Sequence, residues 1–325
     1  MSNRFEGRNC NPNCDWFADA KYGIFVHYLN HIVNDPTNLE RGRPMGERKT
    51  WNDCVESFDA QKFADDMQAA GAGYVIFTIH QSQQYFCIPN ATYDALTGAK
   101  PGENCACRDL IGDVLDALEE RGIPLMLYFT GDGIWKNPDL MEKIGGAPFP
   151  AKDHKPTDWT PQFKKNWFAI AREWSLRYGK RIAGWWIDGA DACKDYNDEE
   201  LLEYAEALRA GNPDSIVCFN PGNENLEPWR YSVADDFTAG ESAGFDDYPE
   251  DRWVDGAQWH LISYTFRLLN KHNRDVDAAA KELIDYMRAV SAKQGVVSID
   301  LSIYQNGSIL EEELAVLKQL KEAVR

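Results

Sequence analysis

Strand-like apolar runs alternate with amphipathic helical stretches along the sequence, and this alternation limits the fold more than any other feature. The strand candidates are 22–28 (YGIFVHY), 74–80 (YVIFTIH), 124–130 (PLMLYFT), 183–188 (AGWWID), 215–220 (SIVCFN), 235–241 (DDFTAGE), 258–266 (QWHLISYTF) and 296–302 (VVSIDLS). Of these, 235–241 is the weakest and 258–266 is ambiguous between strand and helix. Helical periodicity occupies 58–71, 108–122, 162–179, 198–211, 277–295 and 310–324, several of these closing on a glycine such as Gly71 or Gly122. Most strand candidates are continuous apolar runs, as parallel strands covered on both faces require. The pattern predicts an α/β fold, a single (β/α)8 TIM-type barrel spanning residues 1–325 as one domain. An open doubly wound sheet is the competing architecture, but no GxGxxG or P-loop follows any strand candidate.

Composition narrows the ligand class. The chain carries 52 acidic against 34 basic residues, a net charge of −18, which repels a nucleic-acid backbone or an anionic membrane surface and is compatible with a neutral sugar. Eleven Trp and 14 Tyr suit a carbohydrate cleft, although most such rings fill cores. No run of about 18 apolar residues is present to span a membrane. The opening MSNRFEGRNC lacks an apolar signal core, so the expectation is a cytoplasmic protein, or a secreted or periplasmic one whose leader lies outside this sequence. The eight cysteines include no two CxxC pairs, so no zinc site is expected. CNPNC (10–14) is either a small disulfide or two free thiols, and Cys218 reads as a buried thiol within a strand.

In a barrel of this class, catalytic groups stand at the C-terminal ends of strands. That filter selects His27, His80, Asp132, Asp188, Asn220, Glu241, His260 and Asp300. Asp188 closes the apolar run GWWID. It is either a cap or arginine partner, or a catalytic carboxylate. Glu241 lies in FTAGES between Gly240 and Ser242, small residues that leave it reachable. Asp255, between Trp253 and Trp259, is its rival. Glycoside hydrolysis needs such a carboxylate pair, one to attack or to activate water and one to protonate the leaving oxygen. A single histidine on an apolar strand is more often structural, but His27, His80 and His260 would converge on one barrel mouth. There they could donate to sugar hydroxyls or bind a metal, and without HxH or HExxH spacing hydroxyl binding is the preferred reading, with no metal and no cofactor. Trp185 and Trp253 are the aromatic candidates for the sugar pocket. His31, His154 and His272 receive no role. No GxSxG elbow is present.

With these residues in view, the chain resembles the catalytic barrel of glycoside hydrolase family 29, the α-L-fucosidases. WFADAKYGIFVHY (16–28) looks like the family's first-strand signature, whose sugar-binding histidine falls on His27. FDAQKFADDMQAAGAGYVIFT (58–78) and RDLIGDVLDALEERGIPLMLYFT (108–130) are similar to the next two units. GWWIDG (184–189) matches the motif whose nucleophile falls on Asp188, and GVVSIDLSIYQNGSI (295–309) resembles the strand-8 segment, with Asp300 where the family usually has Asn. Two stretches depart. IHQSQQYF (79–86) replaces the family's Lys-His-His-Asp-Gly-Phe run and keeps His80 alone. WVDGAQW (253–259) stands where many members have a Trp-Glu pair, and the usual C-terminal β-sandwich is not expected. The resemblance implies a retaining exo-acting hydrolase of α-L-fucosides or a related α-L-sugar, with Asp188 as nucleophile; strand geometry, not the resemblance, selects Glu241 as acid/base, with Asp255 as its rival. His27, His80, Trp185, Trp253, Asp255 and His260 would contact the substrate. A non-catalytic sugar-binding barrel is the alternative from another class, and a metal-dependent isomerase or hydrolase on the same barrel is a third.

Overall fold

The computed structural model describes Phe5 and residues 10–35, 42–43, 49–147, 159–189, 195–222, 228–242 and 244–325; His154 and Cys193 lie outside the described residues. The apolar runs form strands β1 (Tyr22–Val26), β2 (Val75–Thr78), β3 (Leu125–Thr130), β4 (Ile182–Asp188), β5 (Ile216–Phe219), β6 (His260–Tyr264) and β7 (Val296–Leu301). They make one seven-stranded sheet in the order β5-β4-β3-β2-β1-β7-β6, every pairing parallel. Helices α1 (Asp15–Ala20), α2 (Ala60–Ala69), α3 (Leu110–Glu119), α4 (Pro161–Tyr178), α5 (Asp198–Leu208), α6 (Val276–Ser291) and α7 (Glu311–Val324) accompany the strands. Side chains cap their starts: Asp59, Asp109, Thr160 and Asp275 each accept a backbone N–H three residues on, and Asn197 forms a reciprocal capping box with Glu200.

The weak candidate at 235–241 is the place where the barrel closes. It is not a regular strand, but it spans the gap between β5 and β6. The N–H of Asp236 donates to the Val217 carbonyl at 2.9 Å, and the N–H of Ile262 donates to the Gly240 carbonyl at 2.9 Å. Isolated parallel bridges join Phe237 to Gln258 and Glu241 to Ile262. On the β5 side, carboxylates replace backbone acceptors: Asp236 Oδ2 takes the Val217 N–H at 2.8 Å and Asp235 Oδ1 takes the Phe219 N–H at 2.9 Å. Gly240 has a φ of 60°, and a Cβ there would sit 2.0 Å from the His260 carbonyl oxygen, so the segment bends where only glycine fits.

Period-2 alternation sorts each strand into two layers. Phe25, Ile76, Met126, Tyr128, Trp186, Cys218 and Ile262 fill the barrel interior, while Ile24, Val75, Leu127, Trp185 and Phe219 pack outward against the helices. Trp186 stacks on Tyr128 (centroids 5.4 Å apart, planes at 15°) and meets Phe25 edge-on at 5.7 Å. Phe17 of α1 plugs the lower end, 4.7 Å from Tyr74 and 5.5 Å from His260. Cys218 is a buried thiol, as its apolar run implies, and Cys10 and Cys14 are free thiols, not a disulfide. Cys14 donates its S–H to the Asp236 carbonyl at 3.4 Å, and burial pushes its ionisation far up. Among the described residues no helix is long and apolar enough to cross a membrane.

Candidate active site

Asp188 is the last residue of β4, in register with Thr130 of β3. Two residues beyond Trp186, it faces the barrel interior. Gly189 lets the chain turn away at once: its φ is 91°, and a Cβ would lie 2.9 Å from the Asp132 backbone nitrogen. The half-buried carboxylate is held by donors on both oxygens. Oδ2 accepts the Tyr128 hydroxyl and, at 3.1 Å, the Gln81 amide; Oδ1 accepts the Asn220 amide at 3.0 Å. Hydrogen bonds to a charged group are each worth roughly 1.5–3 kcal/mol, which offsets the cost of placing a carboxylate at the end of an apolar strand. Burial first, and the neighbouring Asp188 carboxylate second, push the Tyr128 phenol well above its ordinary range, so it remains a donor. Gln81 also donates to the Tyr128 oxygen, at 2.8 Å.

Asn220 follows β5 directly, its backbone N–H on the Ile187 carbonyl at 2.7 Å. Its side-chain oxygen accepts the Gly222 N–H at 2.9 Å, which turns the NH2 toward the carboxylates. That one nitrogen donates to Asp188 Oδ1 at 3.0 Å and to Glu241 Oε2 at 2.9 Å. The facing oxygens of the two carboxylates therefore lie within about 6 Å of each other, short of the ~6.5–9.5 Å separation that leaves room for an intervening water. The irregular segment places Glu241 here through its bridge to Ile262.

His27, just past β1, completes the mouth. Its Nδ1 is 2.9 Å from Asp300 Oδ2, both side chains being buried, and its ring lies 4.7 Å from Phe25 and 5.8 Å from Tyr128. Asp300 pairs in register with Phe25, so β1 and β7 hold this contact. Asp132, buried after β3, accepts the Trp135 indole N–H at 3.0 Å.

Asp188, Glu241 and His27 thus come together, and the other five candidates do not join them. Trp185 is wholly buried in the outer layer, because alternation turns it away from the face that carries Trp186 and Asp188. His80 is wholly buried among Phe86, Phe129 and Trp167, and burial holds its imidazole well below the ordinary range. Strand β2 stops at Thr78, so counting parity to residue 80 fails, and Gln81 reaches the site instead. His260 begins β6 where the apolar run suggested an end. It sits at the lower rim, bonded to the Thr238 carbonyl and Ser298 Oγ at 2.8 Å each, with burial lowering its pKa to about 4. Trp253 and Asp255 belong to a hairpin (Trp253–Val254 with Ala257–Gln258) that precedes β6, with Asp255 exposed at its turn. Arg252 covers Trp253 at 4.4 Å and pairs with Asp15 of α1 at 2.7 Å, tying the hairpin to the opposite end of the barrel from Asp188. Tyr128, Gln81 and Asn220 hold Asp188 in their place. The sequence signal for Asn220 was its strand-end position; Tyr128 and Gln81 carried none, since neutral groups do not stand out in a search for titratable side chains. Among the described residues no group of three or more His, Cys, Asp or Glu is placed to hold a metal ion.

A family model described as Alpha-L-fucosidase matches residues 47–323. The chain belongs to the α-L-fucosidase family. Among curated relatives, a tissue alpha-L-fucosidase of Macaca fascicularis is 28% identical over 142 residues, covering 37% of this chain and 29% of that protein. The matched stretch spans less than a third of the length of the curated relatives. Solved structures agree on the fold. An endo-fucoidan hydrolase of glycoside hydrolase family 107 superposes with a TM-score of 0.66 at 15% identity, over 95% of this chain and 53% of that one. A family 29 α-L-fucosidase from Bacteroides thetaiotaomicron, trapped as a covalent intermediate with 2-fluoro-fucosyl fluoride, superposes with a TM-score of 0.61 at 14% identity, over 99% of this chain and 77% of that one. The seven-stranded sheet and its closing segment therefore have the (β/α)8 barrel fold of those α-L-fucosidase structures.

Proposed function

We propose that the chain is one catalytic domain acting as a retaining, exo-acting glycoside hydrolase on α-L-fucosides or a closely related α-L-sugar. The observation that carries this reading is the single Asn220 nitrogen shared between Asp188 and Glu241 at 3.0 and 2.9 Å. A retaining pair stands about 5–5.5 Å apart, and a shared nitrogen that keeps the facing oxygens within about 6 Å supports this reading. Asp188 attacks the anomeric carbon as Glu241 donates its proton to the departing glycosidic oxygen. The C–O bond to the leaving group breaks and a glycosyl ester forms on Asp188. Glu241, now a carboxylate, takes a proton from water, whose oxygen attacks the anomeric carbon and releases Asp188. Tyr128 and Gln81 aim the attacking carboxylate, and His27, oriented by Asp300, offers Nε2 to a sugar hydroxyl. The covalent intermediate trapped in the Bacteroides thetaiotaomicron neighbour supports the double displacement. A sugar-binding barrel without turnover has no need of two carboxylates bridged in this way. Turnover of aryl glycosides, headed by the α-L-fucoside and the α-L-galactoside, tests the reading. Activity on one of them that disappears in Asp188→Ala is the expected result, and activity that survives the substitution would overturn it.

A further inference from the structure

Behind the His27–Asp300 contact lies a second buried acid, linked to the first by one short stretch of chain. Glu313, in the first turn of α7, is wholly buried. Its Oε2 accepts the Ser302 N–H at 2.6 Å, and its Oε1 lies 3.2 Å from Ser302 Oγ. The Ser302 carbonyl accepts the Leu310 N–H at 3.2 Å, so both backbone groups of Ser302 are held by the start of α7. Two residues earlier, on β7, Asp300 stands 2.9 Å from His27 Nδ1. We propose that Glu313 is a positioning residue for the sugar contact of His27, acting through Ser302 and Asp300, and that it holds this arrangement only while it keeps its proton. The proposal rests on the hydrolase reading above, in which His27 meets the sugar.

The balance of buried charge gives the reason. Asp300 and Glu313 are both closed off from solvent, and two carboxylates in one dry space repel without water to screen them. Arg274, in the turn before α6, favours the charged form of Glu313, but its guanidinium pairs with Glu312 through two nitrogens. Around the other elements packed against α7, Lys271 and His272 pair with Glu282, and Asp277 accepts the Gln319 amide. Burial, the largest influence, pushes the Glu313 carboxyl up to about 8; the Ser302 N–H opposes this and the Asp300 charge adds to it. Once the proton leaves, the repulsion is relieved by water entering at Ser302. That loosens the turn from α7, and Asp300 and His27 shift with it. A neutral sugar therefore binds more weakly in alkali, although nothing on the sugar titrates.

The test measures the inhibition constant of L-fucose against turnover of an aryl α-L-fucoside from about pH 6 to about pH 9. In the unsubstituted protein the constant is expected to rise on the order of tenfold across this range. In Glu313→Gln, which mimics the protonated side chain, that rise disappears. Glu241 is the same in both proteins, so the difference between the two profiles belongs to Glu313. Asp300→Asn provides a second, independent variant. Removing the neighbouring charge makes Glu313 easier to ionise, so the midpoint of the rise moves to lower pH, a shift that loss of packing alone does not produce. A Glu313→Gln profile that follows the parent, or an Asp300→Asn midpoint that stays in place, would overturn the positioning role and leave the hydrolase reading intact. Absence of fucoside turnover in the unsubstituted protein at every pH would instead remove the hydrolase reading, and this role with it.

Discussion

Asn220 is the residue on which the chemistry converges. Its amide is anchored at both ends, through the Gly222 N–H on one side and two carboxylates on the other. A neutral donor shared between two acids holds both at a fixed separation without neutralising either. Replacing it with alanine leaves β5 intact and removes the link between the two carboxylates. Because a misplacement of about 1 Å can cost on the order of 100-fold in rate, Asn220→Ala should lose kcat on that scale with little change in thermal midpoint. Steady-state kinetics together with a melting curve measure this. A variant that melts early would mark Asn220 as structural only.

At the scale of elements, buried carboxyls act in two places. Helix α7 docks through Glu313, a wholly buried carboxyl in its first turn that accepts the Ser302 N–H at 2.6 Å just after β7. Burial raises its pKa from 4.5 to about 8. Between those values the folded protein keeps a proton that the unfolded chain has released, so this group makes stability fall as pH rises through the window and contributes no further slope above it. Glu313→Gln mimics the protonated side chain. It should match the parent near pH 5 and exceed it in denaturant stability near pH 9. A difference between variant and parent that is the same at pH 5 and pH 9 would show that Glu313 does not titrate in this window. The seam between β5 and β6, at 235–242, is held by Asp235 and Asp236 in place of strand backbone, and this irregularity is what brings Glu241 to Asn220.

For the whole molecule, the alternation of apolar runs and helical stretches was enough to read the barrel, and Asp188 was legible as the end of its most apolar strand. What the sequence could not show depended on counting from the correct strand boundary or on contacts between distant strands. Parity separates Trp185 from Trp186 only once β4 is fixed as ending at Asp188. His260 stands near the start of its apolar run, 258–266, and β6 starts there, so it does not belong among the strand-end residues. Gln81, Tyr128 and Asn220 come from three different strand units and meet only because β2, β3, β4 and β5 lie side by side in the sheet. Glu241 was readable from small neighbours in a weak strand, and its distance from Asp188 was not. The proposed mechanism rests on that distance. Proton NMR of the first anomer released from an aryl α-L-fucoside measures its consequence directly. Retention predicts that α-L-fucose forms first and mutarotates slowly to the β-anomer, whereas β-L-fucose as the first product would contradict the double displacement through Asp188.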